Sequence, residues 1–420
     1  SEPAQRPVPA ARCWRDAALQ AVRAGLRTQA VATVGLAPLT LVFFQQISLV
    51  GFVANLGAIP LVTLLVVPLA MGGVLLPPLW SVAAALVQGL TTALQGLAGL
   101  PLALWSAAAA PPWAVACGLL AGALAVLPLP WRLRLLALPL ALPLLVPPVD
   151  RPAAGQFELV VADVGQGTAV LVRTQRHLLV YDTGPAYTPE VDAGSRVLLP
   201  LLRGRGETRV DLLMLSHRDS DHVGGAASLL AGVPVSALSS SLADEHPLRQ
   251  AADERGLPHR PCAAGQRWWW DGVAFAVLHP GPGAPAPGQK PNALSCVLRV
   301  QAADGASALL TGDIEAPQEA ALLQRHADAL RSDVLLVPHH GSKTSSTAAF
   351  LDAVAPGAAV VQAAYRSRFG HPAPPVLARY AERGIHVRRS DRCGAWTWLA
   401  ARPPADAAAP VAGLCARDVA

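Results

Sequence analysis

Between residues 28 and 131 this chain contains no Asp, Glu, Lys, Arg or His. A globular fold of that size needs a charged outer surface, so this stretch cannot be the core of a water-soluble domain. Disorder is excluded too, because disordered segments have low hydrophobicity and this one is mostly Ala, Leu, Val, Gly and Pro. At about 20 residues per crossing it is long enough for several membrane spans. The reading is a polytopic α-helical membrane region within residues 1–150, with five spans near 30–49, 52–77, 79–100, 112–129 and 133–149. Pro60, Pro68, Pro77, Pro78, Pro101, Pro111 and Pro112 soften these limits. Proline at membrane depth is tolerated where neighbouring protein or a polar cavity satisfies the freed carbonyls. Gln45, Gln46 and Asn55, with Ser48, lie in or beside the early spans. Helix–helix hydrogen bonding is the plainer role for such groups, and a polar pore lining is the functional one.

Arginine placement gives an orientation. Arg12, Arg15, Arg23 and Arg27 precede the first span, and Arg132 and Arg134 fall in the turn before the last. Five spans starting inside put both groups inside and the following domain on the outer face. The N-terminal arginines alternate with apolar residues, as in an interfacial segment, and no cleavable signal peptide is visible. Ser1 is not a start methionine, so the chain is expected to enter midway through a longer protein whose upstream membrane region is missing.

From Asp150 onward the charges return, and residues 151–402 read as a soluble α/β domain, with 403–420, rich in Ala and Pro, as a disordered tail. Strands are expected at 157–161, 169–172, 178–181 and 210–215. Strands 293–301 and 307–311 flank a turn at 302–306. Helices at 315–325, 347–354 and 375–383 then alternate with strands at 333–337, 358–362, 385–389 and 395–399. Strands first, then mixed α and β, fit a two-sheet sandwich with outer helices. The six cysteines show no CxxC spacing, so no zinc ribbon is implied. Cys262, Cys296, Cys393 and Cys415 suit pairing in an oxidising compartment, without the spacing choosing partners. The net charge of +5 is nearly all arginine, since Lys290 and Lys343 are the only lysines, and mild basicity suits an anionic partner.

Chemistry concentrates at the strand ends. Residues 216–225, Ser-His-Arg-Asp-Ser-Asp-His-Val-Gly-Gly, hold four metal-capable side chains: His217, Asp219, Asp221 and His222. The first two project from one loop and the last two begin the next helix, while Gly224 and Gly225 let that helix pack closely beneath. Asp313, after Gly312, stands where a bridging carboxylate is needed, though taken alone it reads equally as a helix N-cap. His339 and His340, with Gly341-Ser342 and Lys343, combine imidazole with a tight turn whose N–H groups can hold a phosphate. His371 offers a last ligand, and Arg366 and Arg368 just before it are candidate phosphate contacts. Carboxylates and imidazoles so spaced can hold two divalent cations for hydrolysing phosphate esters or amides. Trp268, Trp269 and Trp270 read as strand packing more than base stacking. Arg203, Arg205 and Arg209 form a basic turn, either solvated or touching phosphates.

Together these motifs resemble the metallo-β-lactamase superfamily. Asp-Val-Gly-Gln-Gly (163–167), Tyr-Asp-Thr-Gly (181–184), the 216–225 segment, Leu-Thr-Gly-Asp (310–313) and Pro-His-His-Gly-Ser (338–342) are similar to the ComEC family of DNA-uptake proteins. In the membrane half, residues 43–51 and 55–60 resemble that family's competence region, while its N-terminal spans and small OB-like domain are not seen. The resemblance implies an αββα sandwich after the membrane region, in the bacterial inner membrane with the soluble domain on the periplasmic face. It implies a metal-dependent nuclease that degrades the non-transported strand. Its partners would be double-stranded DNA at entry, single-stranded DNA in transit, membrane lipid and other competence proteins. His217 and Asp219 would serve one metal and Asp221 and His222 the other, with Asp313 bridging and His371 completing the second site. His339 or His340 would donate a proton or contact metal, giving Asp221, Asp313, His339 and His340 as the catalytic set. Three residues depart from the superfamily pattern. Asp219 stands in place of a histidine, Asn292 near an expected histidine, and Thr168 where many relatives have Asp. Harder oxygen ligands tilt the two ions from Zn²⁺ toward Mn²⁺. The alternatives are a non-catalytic DNA-binding vestibule and a membrane-tethered hydrolase of another substrate.

Overall fold

The computed structural model describes residues 10–281, 288–400, 411 and 413–418. It divides into two compact units, residues 1–149 with 203–206 and residues 150–202 with 207–420.

In the first unit, Leu19–Phe44, Gly51–Gly72 and Pro78–Ala98 are long and apolar enough to cross a membrane, and almost none of their residues is buried within the protein. A continuous exposed apolar surface is what lipid contact requires and water penalises. The sequence leads to five spans, whereas three helices among the described residues have crossing length. Pro112–Val126 has 15 residues, about 22 Å at 1.5 Å per residue against a hydrocarbon core of about 30 Å. The stretch after it breaks into Trp131–Arg134 and Ala137–Leu145, because Pro128, Pro130, Pro139 and Pro147 interrupt the helical hydrogen bonds. Pro112–Val126 buries Ala114, Gly118, Ala121 and Gly122. A Cβ on Gly118 would stand 2.2 Å from Leu144, and one on Gly122 2.9 Å from Pro38, so the small-residue stripe is what lets neighbouring chain approach.

The first span ends at Phe44 rather than 49. Gln45 takes a left-handed conformation (φ 52°), and Gln46–Ser48 leaves the helix to pair antiparallel with Leu104–Ser106. Gln45 and Gln46 therefore sit, half-buried, in a break between helices, with Gln45 Nε2 donating to the Val42 carbonyl at 3.2 Å. Asn55 is exposed on the next helix.

The second unit is two sheets face to face. One runs Leu414–Cys415, Trp396–Ala400, Phe157–Val161, Val170–Arg173, Leu178–Tyr181, Leu212–Leu215, Leu238–Ser240, His259–Pro261. The other runs His386–Arg389, Ala358–Val361, Val334–Leu336, Ser307–Leu310, Val297–Gln301, Val273–His279, Arg267–Trp270. Strand alternation sorts side chains between layers. Phe157, Leu159 and Val161 meet Phe275, Leu298 and Leu310 between the sheets. Val160 points the other way, into a core shared with Leu198, Leu202 and Leu229. Leu309, Leu335 and Ala359 similarly pack on Leu322, Phe350 and Tyr380 from the outer helices of the second sheet. Three apolar layers between four structural layers make an αββα sandwich, each fully buried Leu or Phe contributing about 1.5–3 kcal/mol.

Cys262 pairs with Cys296 and Cys393 with Cys415. The second bond and strand pairing to Trp396 hold Leu414–Cys415 and the turn Ala416–Asp418. This part of the expected disordered tail is therefore structured, while 401–410, 412, 419 and 420 lie outside the described residues.

Each sheet is antiparallel in one half and parallel in the other. The parallel strands end in the loops that carry Asp182, His217, His340 and Gln362, and Ser307–Leu310 runs into Asp313. Carboxyl ends of parallel strands are where open sheets gather ligands.

Candidate metal centre

Asp221, His222, Asp313 and His340 each place a ligand atom within 4.8 Å of all the others. His222 Nε2 lies 3.1 Å from Asp313 Oδ1, and His340 Nε2 lies 3.2 Å from Asp221 Oδ2 and 3.6 Å from Asp313 Oδ2. Beside them, the His217 ring is 4.1 Å from that of His222, centroid to centroid, and its Nε2 is 3.5 Å from Asp219 Oδ2. Nε2 of His217, His222 and His340 and Oδ1 of Asp313 are buried and make no hydrogen bond. Leaving one such atom unsatisfied costs about 1–3 kcal/mol. Four of them around one small volume form an N/O donor set of the kind that divalent cations satisfy.

A second layer fixes these ligands. His222 Nδ1 donates to Asp182 Oδ2 at 2.7 Å, and Ser216 donates to the same carboxylate from its backbone N (2.6 Å) and its Oγ (2.7 Å). A carboxylate only accepts, so Nδ1 keeps its proton and Nε2, facing Asp313, is the nitrogen that would give its lone pair to a cation. His340 Nδ1 donates to the Gln362 carbonyl at 2.8 Å, and the Gln362 amide is anchored on the Ala162 and Ala169 carbonyls. Ser295 Oγ accepts from the Asp313 backbone N at 3.1 Å and lies 3.4 Å from His217 Nδ1. His339, His340 and Gly341 run through three consecutive positive φ values, 49°, 53° and 78°. Each non-glycine residue held there costs about 1–3 kcal/mol, strain of the kind that collects at functional sites. Glycine is needed where the backbone closes in. A Cβ on Gly167 would stand 2.3 Å from the Asp221 carbonyl oxygen, and one on Gly225 2.4 Å from the Gly194 N.

The charges are mutually set. Burial opposes ionisation of Asp221, but His340, whose Nε2 lies 3.2 Å away, and the charge of His222 hold its carboxyl at about 2. Burial likewise opposes, and His222 and His340 outweigh it, so Asp313 lies well below the usual carboxylate range. Burial disfavours a charged His222, yet Asp313 and Asp182 raise it well above the ordinary imidazole value; His340 is also raised, chiefly by Asp313 against burial. A divalent cation entering this set would displace imidazole protons.

The geometry distributes the candidate residues unevenly. Asp219 is part-exposed, and among the described residues its carboxylate reaches only His217. His371 lies outside the four-residue group, its ring centred 5.7 Å from His339 and 6.5 Å from His340. His340, not His371, is the histidine whose Nε2 stands beside Asp221. His371 Nδ1 is nevertheless buried without a hydrogen bond, and burial, then His340 and His339, lower its pKa. His339 sits at the rim, Nε2 3.8 Å from Asp313 Oδ2 and 3.4 Å from Asn292 Nδ2, with Nδ1 3.2 Å from Thr344 Oγ1. Asp313 is no helix cap, because Glu315 caps Ala316–Leu330 in a capping box with Gln318. Ser342 is buried, with Oγ 3.1 Å from Thr344 Oγ1, and Lys343 is exposed. Arg366 and Arg368 line a cleft of about 410 Å³ that also includes Asp221. Trp268 stacks on Phe275 and Trp270 on His177, while Trp269 is exposed. Asp182, Ser216, Ser295 and Gln362 carry no site role in the sequence reading. The signal for Asp182 is an acidic residue at a strand end before Thr-Gly.

Residues 4–132 match the competence protein family and residues 162–364 the metallo-β-lactamase superfamily. An uncharacterized Escherichia coli protein, YcaI, is 33% identical over 87% of this chain and 47% of its own length. Competence protein ComA of Neisseria gonorrhoeae is 39% identical over 56% of this chain and 31% of its own. ComE operon protein 3 of Bacillus subtilis is 33% identical over 57% of this chain and 33% of its own. The chain thus spans 31% to 47% of the length of these curated relatives. With a competence region followed by a metallo-β-lactamase domain, the chain belongs to the ComEC family.

Proposed function

We propose that this chain is the membrane and nuclease portion of a DNA-uptake channel, its sandwich domain cutting the strand that is not imported. The observation that carries this reading is the convergence of Asp221, His222, Asp313 and His340 in a competence-family chain. Two divalent cations, Mn²⁺ or Zn²⁺, are proposed, with His217 and Asp219 serving one, Asp221, His222 and His340 the other, and Asp313 between them. Bound there, the cations would supply Lewis-acid polarisation of a phosphodiester and a water made acidic enough to attack it. His339, 3.2 Å from Thr344 Oγ1 and 3.8 Å from Asp313 Oδ2, is proposed to give a proton to the leaving oxygen. His371, Ser342, Lys343, Arg366 and Arg368 are proposed around the scissile phosphate, and Gln45, Gln46 and Asn55 along the channel. Double-stranded DNA on entry, a single strand in transit, lipid and other competence proteins are the proposed partners.

The domain is proposed on the periplasmic face of the inner membrane. Arginine placement supports this, and so do two disulfides in a domain of this size, which are expected in an oxidising compartment. The full chain, solubilised and assayed for bound metal and for DNA cleavage with Mn²⁺, Zn²⁺ or Mg²⁺, tests the reading. Asp313→Ala should abolish cleavage with the fold retained. A second reading, a DNA-binding vestibule without catalysis, is favoured by the Asn292 amide, a poor ligand, against His339. Metal uptake and DNA binding without cleavage would establish it instead.

A further inference from the structure

Residues 365–369 read Tyr-Arg-Ser-Arg-Phe, an aromatic–cation alternation placed beside Asp221. Tyr365 is 71% exposed and Phe369 55%, so neither ring is spent on packing the core. The Arg366 guanidinium lies 5.3 Å from the Tyr365 ring and that of Arg368 4.8 Å from the Phe369 ring. Neither arginine makes an ion pair with any described residue, which leaves both charges available to an anion. The loop is nonetheless fixed. Ser367 Oγ donates to Gln166 Oε1 at 2.8 Å, and the Phe369 ring stacks on His371 at 5.9 Å. Gln166 belongs to the 163–167 turn, and that turn also meets the metal centre. Thr168 N donates to the Asp221 carbonyl at 3.0 Å, and Gly167 packs directly against the same group. One turn therefore sets the loop and a candidate ligand in register.

We propose that residues 365–369 are a stacking platform that takes one unpaired nucleic-acid strand, bases on Tyr365 and Phe369 and phosphates on Arg366 and Arg368, and leads it to Asp221. This rests on the nuclease reading and narrows its substrate to a single strand or a frayed end. Base faces are open to aromatic rings only when the strand is unpaired, whereas a duplex keeps them stacked and offers its phosphates and groove edges. The Gln166–Ser367 hydrogen bond gives the Asp-Val-Gly-Gln-Gly motif its purpose, holding the platform at a fixed distance from the cut.

The test is binding, measured by fluorescence anisotropy with the metal-free full chain in detergent, using labelled oligodeoxythymidylate and a blunt duplex as probes. Tyr365→Ala/Phe369→Ala should weaken oligodeoxythymidylate binding by about 10- to 100-fold. Duplex binding should change by less than about threefold, and Mn²⁺ content after loading should be unchanged. Arg366→Gln/Arg368→Gln should weaken both probes and flatten the salt dependence. Unchanged single-strand binding in the aromatic variant, or an equal loss on both probes, would overturn the platform. Absence of cleavage by the metal-loaded wild type would sink the nuclease reading, while the binding comparison still decides the platform.

Discussion

Asp182→Asn isolates what orients the candidate metal ligands, because it keeps the shape of the side chain and removes only acceptor capacity. In the wild-type protein Asp182 accepts from Ser216 N, Ser216 Oγ and His222 Nδ1, and it is fully buried. Asparagine still offers one oxygen to Ser216 N. Its amide N–H₂, however, now faces the Ser216 hydroxyl and His222 Nδ1. The hydroxyl can rotate and accept. The imidazole can accept only if its proton moves to Nε2, the atom 3.1 Å from Asp313 Oδ1. A ring protonated there has no lone pair for a cation. Loss of such an orienting partner costs about 10- to 100-fold in metal affinity or activity, about 1.4–2.7 kcal/mol. Asp182→Ala is the blunter contrast, since it strands three buried donors at about 1–3 kcal/mol each and is expected to fail at folding. Equilibrium dialysis against graded Mn²⁺ and Zn²⁺, read by atomic emission, gives the affinity, and near-UV circular dichroism reports retained packing. An Asp182→Asn protein that is folded and binds metal as tightly as wild type would refute the tautomer argument.

Asp271 is held at about 2: burial opposes ionisation, but hydrogen bonds from Thr174, His177 and the Arg176 backbone override it. A depressed carboxyl stabilises the fold above its unfolded value and loses that contribution as pH falls through the folded one. Asp271→Asn should therefore lower stability to urea at pH 7 and flatten its decline between about pH 4 and 2; an unchanged acid limb would exclude Asp271 as its source. Cys393→Ser should cost about 2–4 kcal/mol and expose the Leu414–Cys415 strand to protease, and equal protease resistance would show that strand pairing alone suffices. Gln45→Leu and Asn55→Leu should leave DNA cleavage intact while reducing DNA import in a transformation assay, and normal import by both would return these residues to helix packing.

Many elements of the sandwich are legible where period-2 and helical patterns agree with local turn chemistry, whereas the strands Leu238–Ser240, His259–Pro261 and Val273–His279 and the helix Pro247–Glu254 are not among those the sequence reading names. Ala348–Val354 starts after Thr347, whose side chain caps it, and the turn at 302–306 joins two antiparallel strands as its Asp-Gly suggests. The membrane half was less so, since hydropathy records composition and not helix ends. Nothing in Phe-Phe-Gln-Gln announces that Gln45 turns left-handed and Gln46 enters a ribbon with Leu104–Ser106. The tail is obscured for a related reason: Ala and Pro dominate its composition, while its attachment rests on Cys415 and on strand pairing to Trp396.

Within the candidate site, legibility follows distance along the chain. His217, Asp221 and His222 lie within six positions, and a cluster so dense is visible without a fold. His340 and His371 lie far from that loop, and sequence offers no way to rank two histidines that each precede a Gly or Pro. What ranks them is the Gln362 carbonyl at the end of the neighbouring parallel strand, which holds His340 Nδ1 and turns Nε2 toward Asp221. That carbonyl is itself fixed by a side chain bonded across to Ala162 and Ala169. His340 is thus turned toward Asp221 where the two sheets meet. Asp182 is the same case from the other sheet, a strand-end carboxylate whose role exists only because His222 folds back over it. Residues that bind chemistry announce themselves by type, whereas those that aim them do so only by position, so the variants most informative about this centre lie at Asp182 and Gln362.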